Sequence, residues 1–289
     1  TGVLHNWSGR NTEGYPTITA MFAANNAPDQ PLSYLNFGGY SQTANLIRYS
    51  RLNGLNSLVD VLKTTSMNNA DSVPLRTEPD ISGIRAFQQE KTRRMLLESA
   101  TLNRHKVNLQ AFDDALSSKQ NLGRFADFLP DQSEMEGFIN LPKRLMSNLR
   151  DQIRLTISAL ESGLTSASDL IINGFDTHND NDEEQGILLA HMTDAIQLFW
   201  QQAEERGVAD RVTMVIGSDF GRTPNYNSNN GKDHWPIGSV IVMEKNASWT
   251  NRVVGLTDEG HNALSINPRT LERDDNGGTI IYPKHIHRA

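Results

Sequence analysis

Carboxylates and imidazoles cluster at three places in the second half of the chain, and together they could bind a divalent metal. The residues concerned are Asp176, His178, Asp219, Asp233 and His234, with Arg222 between the second and third places. Carboxylate oxygens combined with imidazole nitrogens suit Zn, Mn or Fe better than Mg. The pattern therefore predicts one or two divalent ions, with Zn or Mn favoured, beside a cationic side chain.

Two of these clusters follow runs that are typical of buried strands. Residues 169–173 (Asp-Leu-Ile-Ile-Asn) precede Asp176, and residues 212–217 (Val-Thr-Met-Val-Ile-Gly) precede Asp219. Ligands of open α/β sheets bind outside the carboxyl ends of the strands, so loops at these ends are where chemistry is expected. We therefore expect these clusters to lie at strand ends.

An acidic run follows His178 and has a structural interpretation of its own. Asp180 or Asp182 would cap the helix that begins there, and the neighbouring acids would complement the helix dipole. This interpretation leaves Asp176 and His178 unexplained. A calcium loop starting at Asp176 is excluded, because Ile187 stands where such loops need a bidentate Glu.

Asp219 and Arg222 also allow two interpretations. In the structural one they form an ion pair, and Gly221 makes the turn. In the functional one Asp219 ligates a metal and Arg222 contacts an anionic substrate, because a planar guanidinium matches such groups. The polar loop 225–230 that follows is more typical of a segment wrapped around a site than of a core.

The other histidines have less persuasive surroundings. His191 lies inside a predicted helix, where a structural role is expected. His105 and His261 have polar neighbours and are interpreted as surface residues. His285 and His287, near the end of the chain, are interpreted as the start of a helix.

The elements that position the clusters alternate between helix and strand. Helices are predicted to begin near Pro16 and to cover 84–119 (in one piece or broken near Asn103), 142–162 and 184–206. Strands are predicted at 32–37, 169–173, 212–217 and 239–243, with an irregular excursion over 41–83. Such alternation indicates an α/β fold with a mostly parallel sheet flanked by crossover helices.

The third long helix, at 184–206, has the clearest apolar face. This face is formed by Leu188, Met192, Ala195, Ile196 and Phe199, with the spacing of a helix packed on a sheet. We expect one domain over residues 1–289. In it, 41–165 would be a largely irregular and helical insertion, and 166–245 the core that carries the metal site.

Composition limits the classes of partner. The chain has 289 residues, a net charge of −7 and no basic stripe, which argues against nucleic acid. No apolar stretch approaches the roughly 20 residues of a membrane span. The chain contains no cysteine, which excludes thiolate ligands and is compatible with export. We expect segments to be missing at both ends, and the oligomeric state is left open.

Three motifs in order resemble the bacterial proteins of domain-of-unknown-function family 1501. They are Gly174-Phe-Asp-Thr-His178, Ser218-Asp-Phe-Gly-Arg-Thr223 and Gly231-Lys-Asp-His234, with Asn227 before the last. The resemblance is specific across 170–245 and looser towards both ends of the chain. That family is similar to a branch of the alkaline phosphatase superfamily, which includes phosphatases, sulfatases and cofactor-independent phosphoglycerate mutases.

The resemblance implies an alkaline-phosphatase-like fold and a set of metal ligands. Asp176 and His178 would correspond to the first ligand pair, Asp219 to the Asp of the second pair, and His234 to the final His. Asp233 would be an extra ligand or would orient His234.

The resemblance also implies two departures from the superfamily pattern. Phe220 stands where the second pair has a ligand, so the second metal position would be weakened or abolished. The nucleophilic Ser or Thr and a further metal-binding Asp would lie on an N-terminal strand preceding Thr1.

Two functions of different classes follow. The first is a metal-dependent hydrolase of phosphate or sulfate esters in which Arg222 contacts the small anionic substrate. The alternative is an exported, periplasmic or secreted binding or assembly protein with a degenerate site. An Asp/His hydrogen-bond network without metal is a third interpretation.

Overall fold

The computed structural model describes residues 16–39, 41–52, 78–110, 112–113, 116 and 149–286, which form a mixed α/β structure. The helices are α1 (Ile18–Asn26), α2 (Glu78–Leu97), α3 (Leu149–Glu161), α4 (Asn181–Glu205) and α5 (Pro283–Ile286). The strands are β1 (Tyr34–Asn36), β2 (Tyr49–Arg51), β3 (Ala167–Asp169), β4 (Thr213–Gly217), β5 (Gly221–Arg222), β6 (His234–Trp235) and β7 (Val240–Glu244).

A small parallel sheet holds the strand that leads to the predicted site. β1 lies between β2 and β3 and pairs with both in parallel, so that Leu35 is opposite Ser50 and Ser168. Helix α1 packs on this sheet, with Ala20 and Ala23 buried in one cluster with Tyr34. The predicted parallel sheet flanked by helices is thus confirmed, at a size of three strands. β2 lies inside the segment predicted to be irregular, and that part of the prediction is wrong.

The strand predicted at 169–173 is shorter and lies earlier in the chain. It is β3, which covers Ala167–Asp169. The ladder ends at the hydrogen bond from Phe37 N–H to Asp169 O (2.9 Å), after which Gly39, with φ of 76°, turns the first strand away. Beyond the end of the ladder, the side chain of Gln152 in α3 takes the place of a neighbouring strand for Ile171. Its side-chain amide donates to Ile171 O (3.0 Å) and accepts from Ile171 N–H (2.8 Å).

The strands predicted at 212–217 and 239–243 exist but do not extend the parallel sheet. β4 pairs with β7 in antiparallel register, and β5 pairs with β6 inside them, so the four strands form one nested hairpin. Parallel neighbours need a crossover of a dozen or more residues, usually a helix. Residues 218–239, all described, contain no helix that could supply it. The hairpin carries residues 223–233, the tip loop, at its end.

Helices α3 and α4 pack against each other and form the main apolar cluster. Ile153 and Ile157 of α3 are buried with Ala195, Phe199 and Ala203 of α4. The predicted face of α4 is confirmed at Leu188, Ala195 and Phe199, which are buried. Gly207, with φ of 67°, ends the helix in the left-handed region that glycine favours. This packing fixes the start of α4 next to the predicted site.

The helical prediction over 84–119 is confirmed in its two-helix form. α2 ends at Leu97, and residues 103–110 are helical again. α2 begins at Glu78, earlier than predicted, with Pro79 in its first turn, where a missing N–H is tolerated. The predicted stretches 53–77, 117–119 and 142–148 lie outside the described residues. Among those described, no helix is long and apolar enough to cross a membrane.

Candidate metal centre

Two segments bring the predicted site residues together. Asp176 and His178 follow β3 in the loop before α4. Arg222 on β5 and His234 on β6 are opposite each other in the antiparallel register. Directly opposite residues share one face of a strand pair, and both side chains here reach Asp176. Arg222 Nη2 lies 2.6 Å and His234 Nε2 3.3 Å from Asp176 Oδ1.

Asp176, His178 and His234 present three ligand atoms in a nearly equilateral triangle, the ligand triangle. Asp176 Oδ1 lies 3.1 Å from His178 Nε2 and 3.3 Å from His234 Nε2, and the two Nε2 atoms are 3.2 Å apart. Tetrahedral zinc with ligand bonds of about 2.0–2.1 Å places its ligand atoms roughly 3.3 Å from each other. The triangle therefore matches three corners of a tetrahedral site and leaves the fourth corner open.

The ligand triangle faces solvent. The side chains of Asp176, His178 and His234 are 72%, 41% and 56% exposed. Structural zinc sites are closed by four protein ligands, whereas catalytic sites keep a position for water or substrate. Within the described ranges, this is the one group of three His or acidic side chains whose ligand atoms lie within 4.8 Å of one another. The geometry thus resembles an accessible centre.

Asp233 lies behind His178 rather than in the ligand triangle. Its Oδ1 is 2.8 Å from His178 Nδ1. In the neutral imidazole, a proton on Nδ1 makes this hydrogen bond and leaves the lone pair of Nε2 for a metal. The hydrogen bond from His178 is the largest cause that lowers the pKa of Asp233 below its usual range. An outer carboxylate of this kind fixes a histidine ligand and raises its basicity. Asp233 therefore orients His178, not the neighbouring His234.

Arg222 is anchored by protein atoms. Its Nη2 donates to Phe175 O (2.9 Å) and Asp176 Oδ1 (2.6 Å), and Nη1 donates to Lys232 O (3.0 Å). The side chain is only 15% exposed. The hydrogen bond from Arg222 is the main reason why the pKa of Asp176 is lowered, which keeps this carboxylate ionised. Arg222 thereby ties the loop after β3 to the hairpin, and Nη1 also lies 3.5 Å from His178 Nε2, at the edge of the triangle.

Phe220 and Asp219, which precede β5, relate differently to the site. The Phe220 ring packs on the imidazole of His234, with centroids 4.1 Å apart and an interplanar angle of 35°. It can hold that ring in place but cannot ligate a metal. Asp219 is half-buried and lies outside the ligand triangle. The structure therefore brings together all the predicted site residues except Asp219.

The role of Thr177, which fixes the loop after β3, was not predicted from the sequence. Thr177 is 1% exposed, and its hydroxyl donates to Asn181 Oδ1 (2.7 Å) and accepts from Gln185 Nε2 (3.0 Å). Thr177 is the central residue of a tight turn, which is closed by the hydrogen bond from His178 N–H to Asp176 O (3.2 Å). The buried threonine anchors this turn, and its two neighbours Asp176 and His178 are more exposed than it is. The Asp-Thr-His order was the available signal.

The predicted capping of α4 by Asp180 is wrong. Asp180 occupies the N-cap position with φ of 42° and makes no side-chain capping hydrogen bond. The backbone N–H groups of Asp180 and Asn181 donate instead to the carbonyls of Asn229 (3.2 Å) and Asn230 (2.9 Å) in the tip loop. The acids of the first turn still complement the helix dipole. The start of α4 is thus a docking point for the hairpin.

Comparison with known proteins identifies the family. No curated protein and no solved structure matches the chain. The family described as "Protein of unknown function (DUF1501)" matches residues 9–270, most of the chain and all of the ligand triangle. The family suggested by the three motifs is therefore confirmed, and the chain belongs to the DUF1501 family.

Proposed function

We propose that the protein is a metal-dependent hydrolase of phosphate or sulfate esters. One divalent ion, Zn or Mn, is bound by Asp176, His178 and His234. The observation that carries the proposal is the ligand triangle, with sides of 3.1–3.3 Å and an open fourth corner. Three ligands and one open position are the arrangement of catalytic zinc.

The charges of the site favour an anionic substrate. A divalent ion with an open position polarises a phosphoryl or sulfuryl oxygen and lowers the pKa of a bound water. Since Asp176 supplies the one carboxylate of the triangle, the loaded centre keeps a net positive charge. Arg222 adds a second cation at its edge, and a planar guanidinium suits tetrahedral oxyanions. Arg222 therefore has two roles, holding Asp176 and attracting the ester.

The similarity of the DUF1501 family to a branch of the alkaline phosphatase superfamily supports the same reaction class. We extend the proposal to that superfamily's fold, of which the parallel sheet beside the site would be a part. Because unrelated functions share folds, the geometry of the triangle carries the proposal and the similarity only agrees with it.

A second candidate is an exported binding or assembly protein whose ion does not turn over substrate. Phe220 favours it, because an aromatic ring packs on His234 where the resemblance implies a further ligand. Asp219 is not among the three ligands of the triangle. A single ion with three ligands is enough to bind an anion.

Metal analysis combined with ester hydrolysis tests the proposal. Wild-type protein reconstituted with Zn or Mn is expected to hold one ion per chain and to hydrolyse members of a panel of phosphate and sulfate monoesters. Metal binding and ester hydrolysis should both be lost in His234→Ala. The control is His105→Ala, which removes an exposed histidine from the helical stretch 103–110 and should keep both.

The outcomes separate the candidates. Bound metal without hydrolysis of any ester on the panel would favour the binding protein. Wild-type protein that holds no metal would contradict both candidates and favour a plain hydrogen-bond network.

A further inference from the structure

Asn227 is the centre of the tip loop. Its Oδ1 accepts from the backbone N–H groups of Asn229 (2.9 Å) and Gly231 (3.0 Å), and its own backbone N–H donates to Gly231 O (2.8 Å). These bonds close the loop on itself. They use the acceptor half of the side-chain amide and leave the donor half for His178 and Asp233.

The donor half of Asn227 is directed at His178 and its carboxylate partner. Nδ2 donates to His178 O (3.0 Å) and to Asp233 Oδ1 (3.3 Å). This Asp233 oxygen is the one that accepts from His178 Nδ1 at 2.8 Å. Asn227 thus holds His178 twice, by its backbone carbonyl and, through Asp233, by its imidazole.

The tip loop is fixed independently at two further points. A Cβ on Gly231 would lie 1.9 Å from the carbonyl carbon and oxygen of His178, so the two backbones are in direct contact. Tyr226 Oη donates to both carboxylate oxygens of Asp182 on α4 (2.8 and 2.7 Å). These contacts keep the loop near His178. Neither of them reaches Asp233.

We infer that Asn227 is a positioning residue of the metal centre, which acts through Asp233 to set the orientation and donor strength of His178 Nε2. The inference rests on the proposed function for the presence of a metal. Removing a group that orients a histidine ligand changes metal affinity by roughly 10–100-fold. Asn227 is one hydrogen bond farther from the ion, so its removal is expected to weaken binding about tenfold, at the lower end of that range.

Titration of metal-free protein with Co²⁺ tests this role, because Co²⁺ replaces Zn²⁺ and its visible absorption reports the ligand geometry. Asn227→Ala should raise the Kd for Co²⁺ about tenfold and alter the absorption band. Asn229→Ala, a matched control in the same loop, should stay within about twofold of the wild type, since the backbone amide of Asn229 makes the loop contact.

A double-mutant cycle distinguishes positioning from loop folding. If Asn227 acts through Asp233, then Asn227→Ala should cost little further affinity in an Asp233→Ala background, because two residues of one network are not additive. Fully additive losses, or a wild-type Kd for Asn227→Ala, would overturn the inference. Should Asn227→Ala not fold, Asn227→Ser keeps a hydroxyl for the loop but is too short to bridge to Asp233, and the same loss is expected.

The proposed function fails in a different way. No Co²⁺ binding by the wild type would overturn both the metal centre and the role of Asn227. Wild-type binding that is lost in His234→Ala but unchanged in Asn227→Ala would overturn the role of Asn227 alone.

Discussion

Two polar clusters lie beside the parallel sheet, and they differ in what their atoms face. In the sheet cluster, formed by Tyr34, Asn36 and Asp169, the Tyr34 hydroxyl donates to Asp169 Oδ2 and accepts from Asn36 Nδ2 (3.4 Å). Tyr34 and Asn36 are fully buried. The ligand triangle begins a few residues farther along the chain, at Asp176. Its side chains are exposed, and its three ligand atoms lie 3.1–3.3 Å from one another.

The difference teaches how to separate structure from function in clusters of similar chemistry. Both contain a carboxylate at or after β3 and hydrogen-bonding side chains around it. In the sheet cluster each group is used on another protein group, which stabilises the fold. In the triangle, Asp233 and Arg222 hold the ligands in place, and the ligand atoms contact one another where the side chains are exposed to solvent. Exposure of the side chains, more than residue type, distinguishes the site.

The largest expected effect on stability is in the sheet cluster. Tyr34→Ala should lower the free energy of unfolding by about 3–5 kcal/mol, because it removes a fully buried aromatic ring and leaves Asp169 without its hydroxyl donor. Tyr226→Ala, which removes an exposed tyrosine from the tip loop, should cost less than about 1 kcal/mol. Denaturant unfolding measures both. Equal losses would mean that the buried position of Tyr34 contributes no more stability than an exposed tyrosine.

A smaller effect is expected in alkaline solution. Burial, and then the charge of Asp169, raise the pKa of Tyr34 from 10.0 to about 12. Because the pKa is higher in the folded protein, the stabilisation is complete below pH 10 and is lost as the pH rises to 12. The loss should reach roughly 2–3 kcal/mol at and above pH 12.

The alkaline effect is measured as a difference between two proteins. Unfolding of the wild type and of Tyr34→Phe should be compared between pH 9 and pH 12, since the other tyrosines and lysines titrate in both. The wild type should lose stability more steeply. Identical slopes would mean that the Tyr34 hydroxyl gains nothing from its buried partners.

The smallest effect on stability is expected in the ligand triangle. Asp176→Asn should change the free energy of unfolding of the metal-free protein by less than about 1 kcal/mol, because exposed ion pairs contribute little. Metal affinity should nevertheless fall by more than about a hundredfold, beyond the loss of an outer-sphere group. Asp194→Asn, on the exposed side of α4, is the control and should leave both quantities unchanged. A large loss of stability in Asp176→Asn would make the triangle a structural cluster.

Local signals in the sequence predicted much of the fold. The period of Leu188, Ala195 and Phe199 located α4, and the apolar runs located β4 and β7 near their observed bounds. Pairing was not predictable in the same way. Nothing in residues 212–243 indicates whether two apolar strands pair in parallel or as a nested hairpin, since that depends on the path of the chain between them.

In the candidate site too, local sequence signals were informative and long-range contacts were not. Residue types and short spacings singled out Asp176, His178 and His234, which the structure brings together. The cap at Asp180 was inferred from near neighbours in sequence. The structure instead pairs the start of α4 with a distant segment, since Asp180 N–H donates to the carbonyl of Asn229. Such long-range hydrogen bonds leave no local pattern.

The ligand triangle has a consequence for the topology of the unfolded chain. His178 and His234 are 56 positions apart, with α4 and most of the hairpin between them. An ion bound to both would cross-link the chain across that interval, and closing a loop of this length removes roughly 3–4 kcal/mol of chain entropy from the unfolded state. The chain has no cysteine and so no disulfide bonds. The metal would then act as a reversible cross-link, which a chelator removes and the free ion restores.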